Sequence, residues 1–217
     1  MSYAQTGDNA QRRTFYRVVK RALDIFVSAC AVIVALVPIL ICAVIVAITS
    51  KGSPFLRQER VGRYGNPLYI FKLRSMYADA ESNMDKYLNA EQLAQWQSEH
   101  KVDNDPRITP FGRFIRATSI DEVPQFLNVL LGEMSIVGPR PVTRDEIDQW
   151  FSDTQEELLS VRPGLTGYWQ AYARNEATFE SGDRQRMELE YVRNYSFAMD
   201  MRCFFKTFAA VFARTGV

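Results

Sequence analysis

From Ile25 to Ser50 the chain carries 26 consecutive residues without a charge. This run limits the architecture more than any other feature, because roughly 20 apolar residues are enough for a helix to cross a bilayer. Length and hydropathy therefore predict a membrane element. Pro38 sits at the centre of the run, where it removes a backbone hydrogen bond and breaks or kinks a helix. Both flanks are basic, with Arg12, Arg13, Arg17, Lys20 and Arg21 before the run and Lys51, Arg57, Arg60 and Arg63 after it. Positive charge marks the cytoplasmic side of a membrane segment, so the pattern favours a segment that enters and returns through one leaflet. Residues 1–18 then form a tail, 19–50 a re-entrant membrane helix and 51–217 a cytoplasmic domain. A kinked single-pass helix is the alternative, since prolines are tolerated in membrane helices. A cleaved signal peptide fits less well, because the run exceeds the length of a signal-peptide core.

Charge divides the chain. Residues 1–76 hold eleven of the 26 Lys/Arg and three of the 25 Asp/Glu, which leaves 15 basic and 22 acidic residues in the remainder. A basic, apolar amino-terminal part suits an anionic lipid surface. It does not suit nucleic acid, since no Arg/Lys stripe interleaved with stacking aromatics follows. His100 is the only histidine, which argues against a Ser-His-Asp triad or a multi-histidine metal site. Cys30, Cys42 and Cys203 lack paired spacing, so zinc and disulfide readings fail.

The chemistry concentrates between Asp103 and Pro141. Ser119 followed three residues later by Glu122 reads as a capping box, with Pro124 in the first turn. Val123, Phe126, Leu127 and Leu130 recur at helical spacing and Gly132 ends the run. Asp121 and Glu122 would then open a helix whose dipole favours an ionised carboxylate, with Arg113, Arg116 and Arg140 near in sequence. Such a group suits phosphate and metal chemistry. Taken alone, an Asp-Glu pair in a first turn is more often ordinary capping.

The surrounding motifs change that weighting. Asn104-Asp105-Pro106-Arg107-Ile108-Thr109, the run from Gly112 to Glu122, Pro124-Gln125, Asn128-Val129-Leu130 and Gly132 through Pro141 together resemble the bacterial sugar transferase family, the monotopic phosphoglycosyl transferases. The resemblance extends through Lys20-Arg21, Asp24, Pro38, Lys72 and Arg74 to Arg162-Pro163-Gly164, Thr166-Gly167 and Gln170. It implies an α+β, mainly helical fold, in which a re-entrant membrane helix hairpin carries a small cytoplasmic catalytic domain with amphipathic interfacial helices.

The implied activity is transfer of a sugar 1-phosphate from a UDP-sugar to polyprenol (undecaprenyl) phosphate, with release of UMP. It starts exopolysaccharide, capsule or O-antigen assembly at the cytoplasmic face of the bacterial inner membrane. On this resemblance Asp121 is the nucleophile that forms a covalent phosphosugar, and Asp121 and Glu122 hold Mg2+. Glu122 either binds metal or accepts a proton from the lipid phosphate. Arg116 and Arg140 match the family's phosphate-binding arginines, and Lys72, Arg74 and Arg113 are further phosphate contacts. Pro139 and Pro141 fix the loop that aims Arg140. Membrane lipids are partners, and a homodimer is allowed. Larger relatives carry extra helices ahead of this module, so the chain is expected to be the minimal catalytic form. Two departures stand out: Val37 replaces the usual small polar residue before the proline, and Glu188 replaces the usual aspartate three residues before Tyr191.

The acidic stretch 77–100 and Arg174-Asn175 resemble relatives that use galactose or glucose 1-phosphate, so a plain hexose is expected over an N-acetylated sugar. Two other readings remain. One takes Asp103-Asn104-Asp105 as the metal motif of a nucleotide-sugar glycosyltransferase, though no alternation of strands and helices precedes it. The other is a membrane-anchored, non-catalytic assembly partner. Among local elements, Leu68 to Leu73 reads as a strand, 77–100 as one or two surface helices, Val142 to Val161 as helical and Leu165 to Ala173 as a strand. Met201 to Val217 reads as a segment that packs on the core or lies on the membrane.

Overall fold

A computed structural model describes residues 3–99, 102, 104–173 and 176–212. His100, Asp103, Arg174 and Asn175 lie outside the described residues. Helix α1 runs from Tyr3 to Ser50 and continues through Pro38. The helix therefore does not stop where the sequence suggested a break. One lost hydrogen bond is tolerated inside a long helix whose neighbouring turns remain bonded. The stretch Thr14–Ser50 is long and apolar enough to cross a membrane.

Both ends of that apolar stretch dock on the rest of the protein. Near the amino-terminal end, Lys20 pairs with Asp200 at 2.8 Å, and Asp24 accepts from the Ser135 hydroxyl at 2.8 Å and from the Ile136 N–H at 3.1 Å. Near the other end, Cys42, Ala43 and Val46 share a core with Leu73 and Ile115. Between them Ile33, Val34, Leu36 and Val37 are exposed.

Strands β1 (Phe55–Val61) and β2 (Pro67–Leu73) form an antiparallel hairpin that pairs Phe55 with Leu73 and Val61 with Pro67. The turn signals at Gly62 and Gly65-Asn66-Pro67 account for it. Leu68 and Ile70 face inward onto Val129, Met134, Ile136 and Tyr191. Two short helices follow, α2 (Met84–Tyr87) and α3 (Ala90–Glu99), as the pattern of 77–100 predicted. Helix α4 (Pro110–Ala117) leads through a 3-10 helix, Ile120–Gln125, into α5 (Phe126–Leu131).

Strand β3 (Ser135–Val137) pairs in parallel with β4 (Gly164–Thr166), Ser135 opposite Gly164 and Val137 opposite Thr166. The adjoining backbones touch. A Cβ on Gly138 would sit 2.5 Å from the Arg162 carbonyl oxygen and one on Gly164 2.2 Å from Gly138 N, distances no side chain tolerates. The helical pattern of 142–161 is two helices, α6 (Arg144–Trp150) and α7 (Gln155–Leu158). The strand expected over Leu165 to Ala173 ends at Thr166, and Tyr168–Tyr172 forms helix α8. Its aromatic residues favour strands by propensity, but the bond from Ala171 N–H to the Gly167 carbonyl and tertiary packing override that preference. Helices α9 (Asp183–Asn194) and α10 (Phe197–Phe212) complete the fold. The last of these buries Cys203 against the core and exposes Phe205 and Phe208 on its other side.

Candidate active site

Thr109 caps α4 by accepting from the Gly112 N–H at 2.9 Å, with Pro110 at the first helical position. Gly112 is required here, because a Cβ would lie 1.8 Å from the Ser75 carbonyl oxygen. The close approach brings α4 against the end of β2 and its extension. After Thr118 the chain turns sharply: Ser119 adopts φ 55°, ψ 19°, in the left-handed region, and its side chain caps nothing. The expected capping box at Ser119 and Glu122 is therefore absent. With Ser119 in that conformation, its side chain makes no hydrogen bond to the amides that follow. Asp121 and Glu122 open a 3-10 turn rather than an α-helix. The one complete capping box around this region belongs to Thr143 and Glu146.

Asn128 locks this segment to β2. It is fully buried, accepts from the Phe71 N–H at 3.0 Å, and donates to the Tyr69 carbonyl at 2.8 Å and to Glu133 at 2.7 Å. The dyad is thereby held beside Lys72, whose ammonium stands 3.4 Å from Glu122. Arg116 approaches from α4, its Nε donating to the Ser75 hydroxyl at 2.8 Å. Behind it Asp105 and Arg107 form a buried bidentate pair at 2.7–3.1 Å. Asp105 is thus committed to an arginine, which removes it from the alternative metal motif.

Asp121 is 9% exposed, whereas the Glu122 side chain is 40% exposed. Burial raises the Asp121 carboxyl to about 6, with Glu122 adding to the rise and Lys72 and Arg116 opposing it. The dipole expected to favour its ionised form is outweighed by desolvation. Asp121 still remains mostly charged at neutral pH. Its single negative charge is buried, close to two cations and beside an open, acidic neighbour. That arrangement suits a nucleophile that receives an anionic phosphorus centre.

The other sequence-predicted groups make different contacts. Arg140 donates through its guanidinium to Glu146 at 3.2 Å and through its backbone N–H to Glu188 at 3.2 Å. It sits between buried Pro139 and Pro141, on the loop that follows β3. Arg60 adjoins Arg140, and its guanidinium falls to about 10 through burial and that neighbour's charge. Arg74 donates through Nε to the Ser53 carbonyl at 2.8 Å, and Arg113 is exposed on α4. Neither Arg74 nor Arg113 makes a hydrogen bond to the dyad among the described residues. Pro38 lies within α1, next to Ile39, which shares a core with Ile120 beside the dyad. Asn128 and Ser75 are the positioning residues that sequence reasoning missed. Asn128 lay within the family motif, but nothing local marks a polar residue whose backbone partners lie on a distant strand.

Across residues 15–214 the chain matches the bacterial sugar transferase family. The chain belongs to that family. A UDP-galactose-lipid carrier transferase of Erwinia amylovora is 38% identical over 202 residues, covering 92% of this chain and 42% of that protein. The undecaprenyl-phosphate galactose phosphotransferase of Salmonella typhimurium is 38% identical over 203 residues, again 92% and 42%. Exopolysaccharide production protein ExoY of Rhizobium meliloti is 35% identical over 194 residues, 88% of this chain and 84% of that one. The chain thus spans about two fifths of the length of the first two relatives and most of the third. Asp121 and Glu122 offer hard oxygen donors. No cluster of three metal-ligating side chains occurs among the described residues. Two carboxylates completed by substrate phosphates and water fit Mg2+, which seldom relies on an all-protein cage.

Proposed function

We propose that this protein transfers a hexose 1-phosphate, galactose or glucose, from a UDP-sugar to undecaprenyl phosphate and releases UMP. An Asp121 carboxylate oxygen attacks the sugar-bearing phosphorus. The bond from that phosphorus to the bridging oxygen breaks, and UMP departs with the electron pair. An oxygen of the lipid phosphate then attacks the same phosphorus, which restores the Asp121 carboxylate and yields the lipid diphosphosugar. Lys72 and Arg116 oppose the charge that accumulates as two anions meet. Arg140 holds a more distant phosphate oxygen, aimed by Glu146. Mg2+ on the dyad would neutralise diphosphate oxygens.

The observation that carries this reading is the burial of Asp121 between Lys72 and Arg116 with its carboxyl at about 6. The names of the relatives support a hexose donor. Intact-mass spectra after rapid mixing with UDP-galactose or UDP-glucose test it: a hexose-phosphate adduct is expected, absent in Asp121→Asn. An active Asp121→Asn protein without adduct would overturn the assignment. UDP released in place of UMP would point instead to a glycosyltransferase.

The membrane path we propose enters and leaves one leaflet by a bend at Pro38 within the continuous helix α1, with both termini at the cytoplasmic face of the inner membrane. Its support is that Lys20–Asp24 and Cys42–Val46 dock on the same domain. A domain on one side of a bilayer does not reach both ends of a straight span. Cysteine labelling of each end in intact cells decides it, and a periplasmic terminus would refute the re-entrant path.

A further inference from the structure

Near the start of the apolar run, α1 and the loops after β1 and α7 enclose a cavity of about 100 Å³. Its wall includes Arg17, Lys20, Arg21, Arg63 and Arg162. Lys20 is answered by Asp200 at 2.8 Å. Asp24, the only carboxylate on the wall, is engaged by the Ser135 hydroxyl and the Ile136 N–H. The other three inner guanidiniums bond only carbonyl oxygens. Arg21 takes those of Val129 and Leu130, Arg63 that of Ser160 and Arg162 that of Gly132. Arg63 and Arg162 use Nε alone for these bonds, so each keeps its terminal fork free of hydrogen bonds among the described residues, while the Arg63 guanidinium also lies over the Tyr64 ring at 4.3 Å.

The wall holds five cations against Asp24 and, through Lys20, Asp200, and this excess of positive charge favours an anion between them. The volume, about three waters' worth at ~30 Å³ each, admits a phosphate group and not a nucleoside. Arg21 grips the far end of the segment that begins with the dyad. From Asp121 to Leu130 the 3-10 and α-helical rises amount to about 15 Å, so this cavity does not hold the phosphorus that reacts at Asp121. Asp24 is the last charged residue before the apolar run, which puts the cavity at headgroup depth. We propose that this cavity is a second phosphate site, which holds the phosphate of a membrane lipid between Arg21, Arg63 and Arg162. The lipid assignment rests on the membrane-anchored reading above, while the anion site itself does not depend on turnover.

The test uses the full chain in uncharged detergent, titrated separately with phosphatidylglycerol, polyprenyl phosphate and inorganic phosphate. Native mass spectrometry and thermal shift give the readouts. Phosphatidylglycerol should bind at one site, and each of Arg63→Gln and Arg162→Gln should weaken it about tenfold. Arg186→Gln, on the exposed face of α9, should leave binding unchanged. Without lipid the double variant should be as stable as the parent or more so, because repulsion is relieved. If the double variant does not fold, Arg162→Lys keeps the charge, loses the fork and should weaken binding by a smaller factor. Asp121→Asn should bind lipid normally even though turnover is lost, which separates failure of this site from failure of the catalytic assignment. Displacement of phosphatidylglycerol by polyprenyl phosphate identifies the acceptor's phosphate as the occupant, and a lack of displacement identifies the bilayer phospholipid. Either supports the site. Undiminished lipid binding in the double variant overturns it, as does loss of binding in Asp121→Asn. Equal affinity for inorganic phosphate overturns the lipid assignment.

Discussion

Replacing Glu188 by glutamine should change how stability depends on pH. Glu188 is fully buried; one carboxyl oxygen accepts from the Arg140 N–H and the other has no hydrogen-bond partner. Burial raises its carboxyl from 4.5 to about 7, with Arg184 and Arg140 opposing the rise and Glu146 adding to it. Between those two values the folded state binds a proton that the unfolded state has released. Stability therefore falls as pH climbs through the window, and the loss is complete above about 7. Each unit is worth about 1.4 kcal/mol, so the group removes roughly 3 kcal/mol between pH 4.5 and 7.5. Glutamine retains an acceptor for Arg140 and cannot ionise. The variant should match the parent near pH 5 and exceed it at pH 8 by roughly 6–12 °C in Tm, taking 2–4 °C per kcal/mol for a chain of this size. Thermal unfolding followed by tryptophan fluorescence in one detergent at both pH values gives the comparison. Parallel pH profiles for the two proteins would refute the reasoning.

With the Asp121 carboxyl at about 6, kcat/KM for UMP release should hold above pH 7 and fall about tenfold per unit below 6. Lys72→Met should move that limb upward, because Lys72 lowers the Asp121 value. Asn128→Ala strands buried partners on two elements and should destabilise by about 2–4 kcal/mol in chemical denaturation. Gly138→Ala should prevent stable folding or lower Tm severely, since its Cβ meets β4 backbone. Ser119→Ala should be within about 0.5 kcal/mol of neutral, and Ser119→Gly should stabilise by up to about 1 kcal/mol by relieving the left-handed strain.

The contrast at Ser119 illustrates where sequence reading stops. A serine three residues before a glutamate is equally a capping box or a chance spacing, and only backbone dihedrals distinguish them. Gly132 was legible because a left-handed helix end at φ 85° calls for glycine. The strand from Leu68 to Leu73 was legible because one face alternates into the core. The dyad was legible as a motif, and its burial was not. Arg140 is close to Asp121 in sequence, but its partners Glu146 and Glu188 are not readable from that spacing. Those carboxylates come from two different helices, and no local pattern announces such a meeting.

The docking of Lys20–Asp24 and of Cys42–Val46 makes the apolar part of α1 a structural wall of the rest of the protein. Deleting residues 1–50 to obtain a water-soluble enzyme would expose Leu73 and Ile115, strip Arg21 from the carbonyls that close α5 and leave the Asp200 carboxylate without its ammonium. A truncated product of this kind would be a different protein with an opened core. Soluble versions must instead keep the helix and mask its outward face, from Ile33 to Ile41, with polar substitutions or a lipid nanodisc.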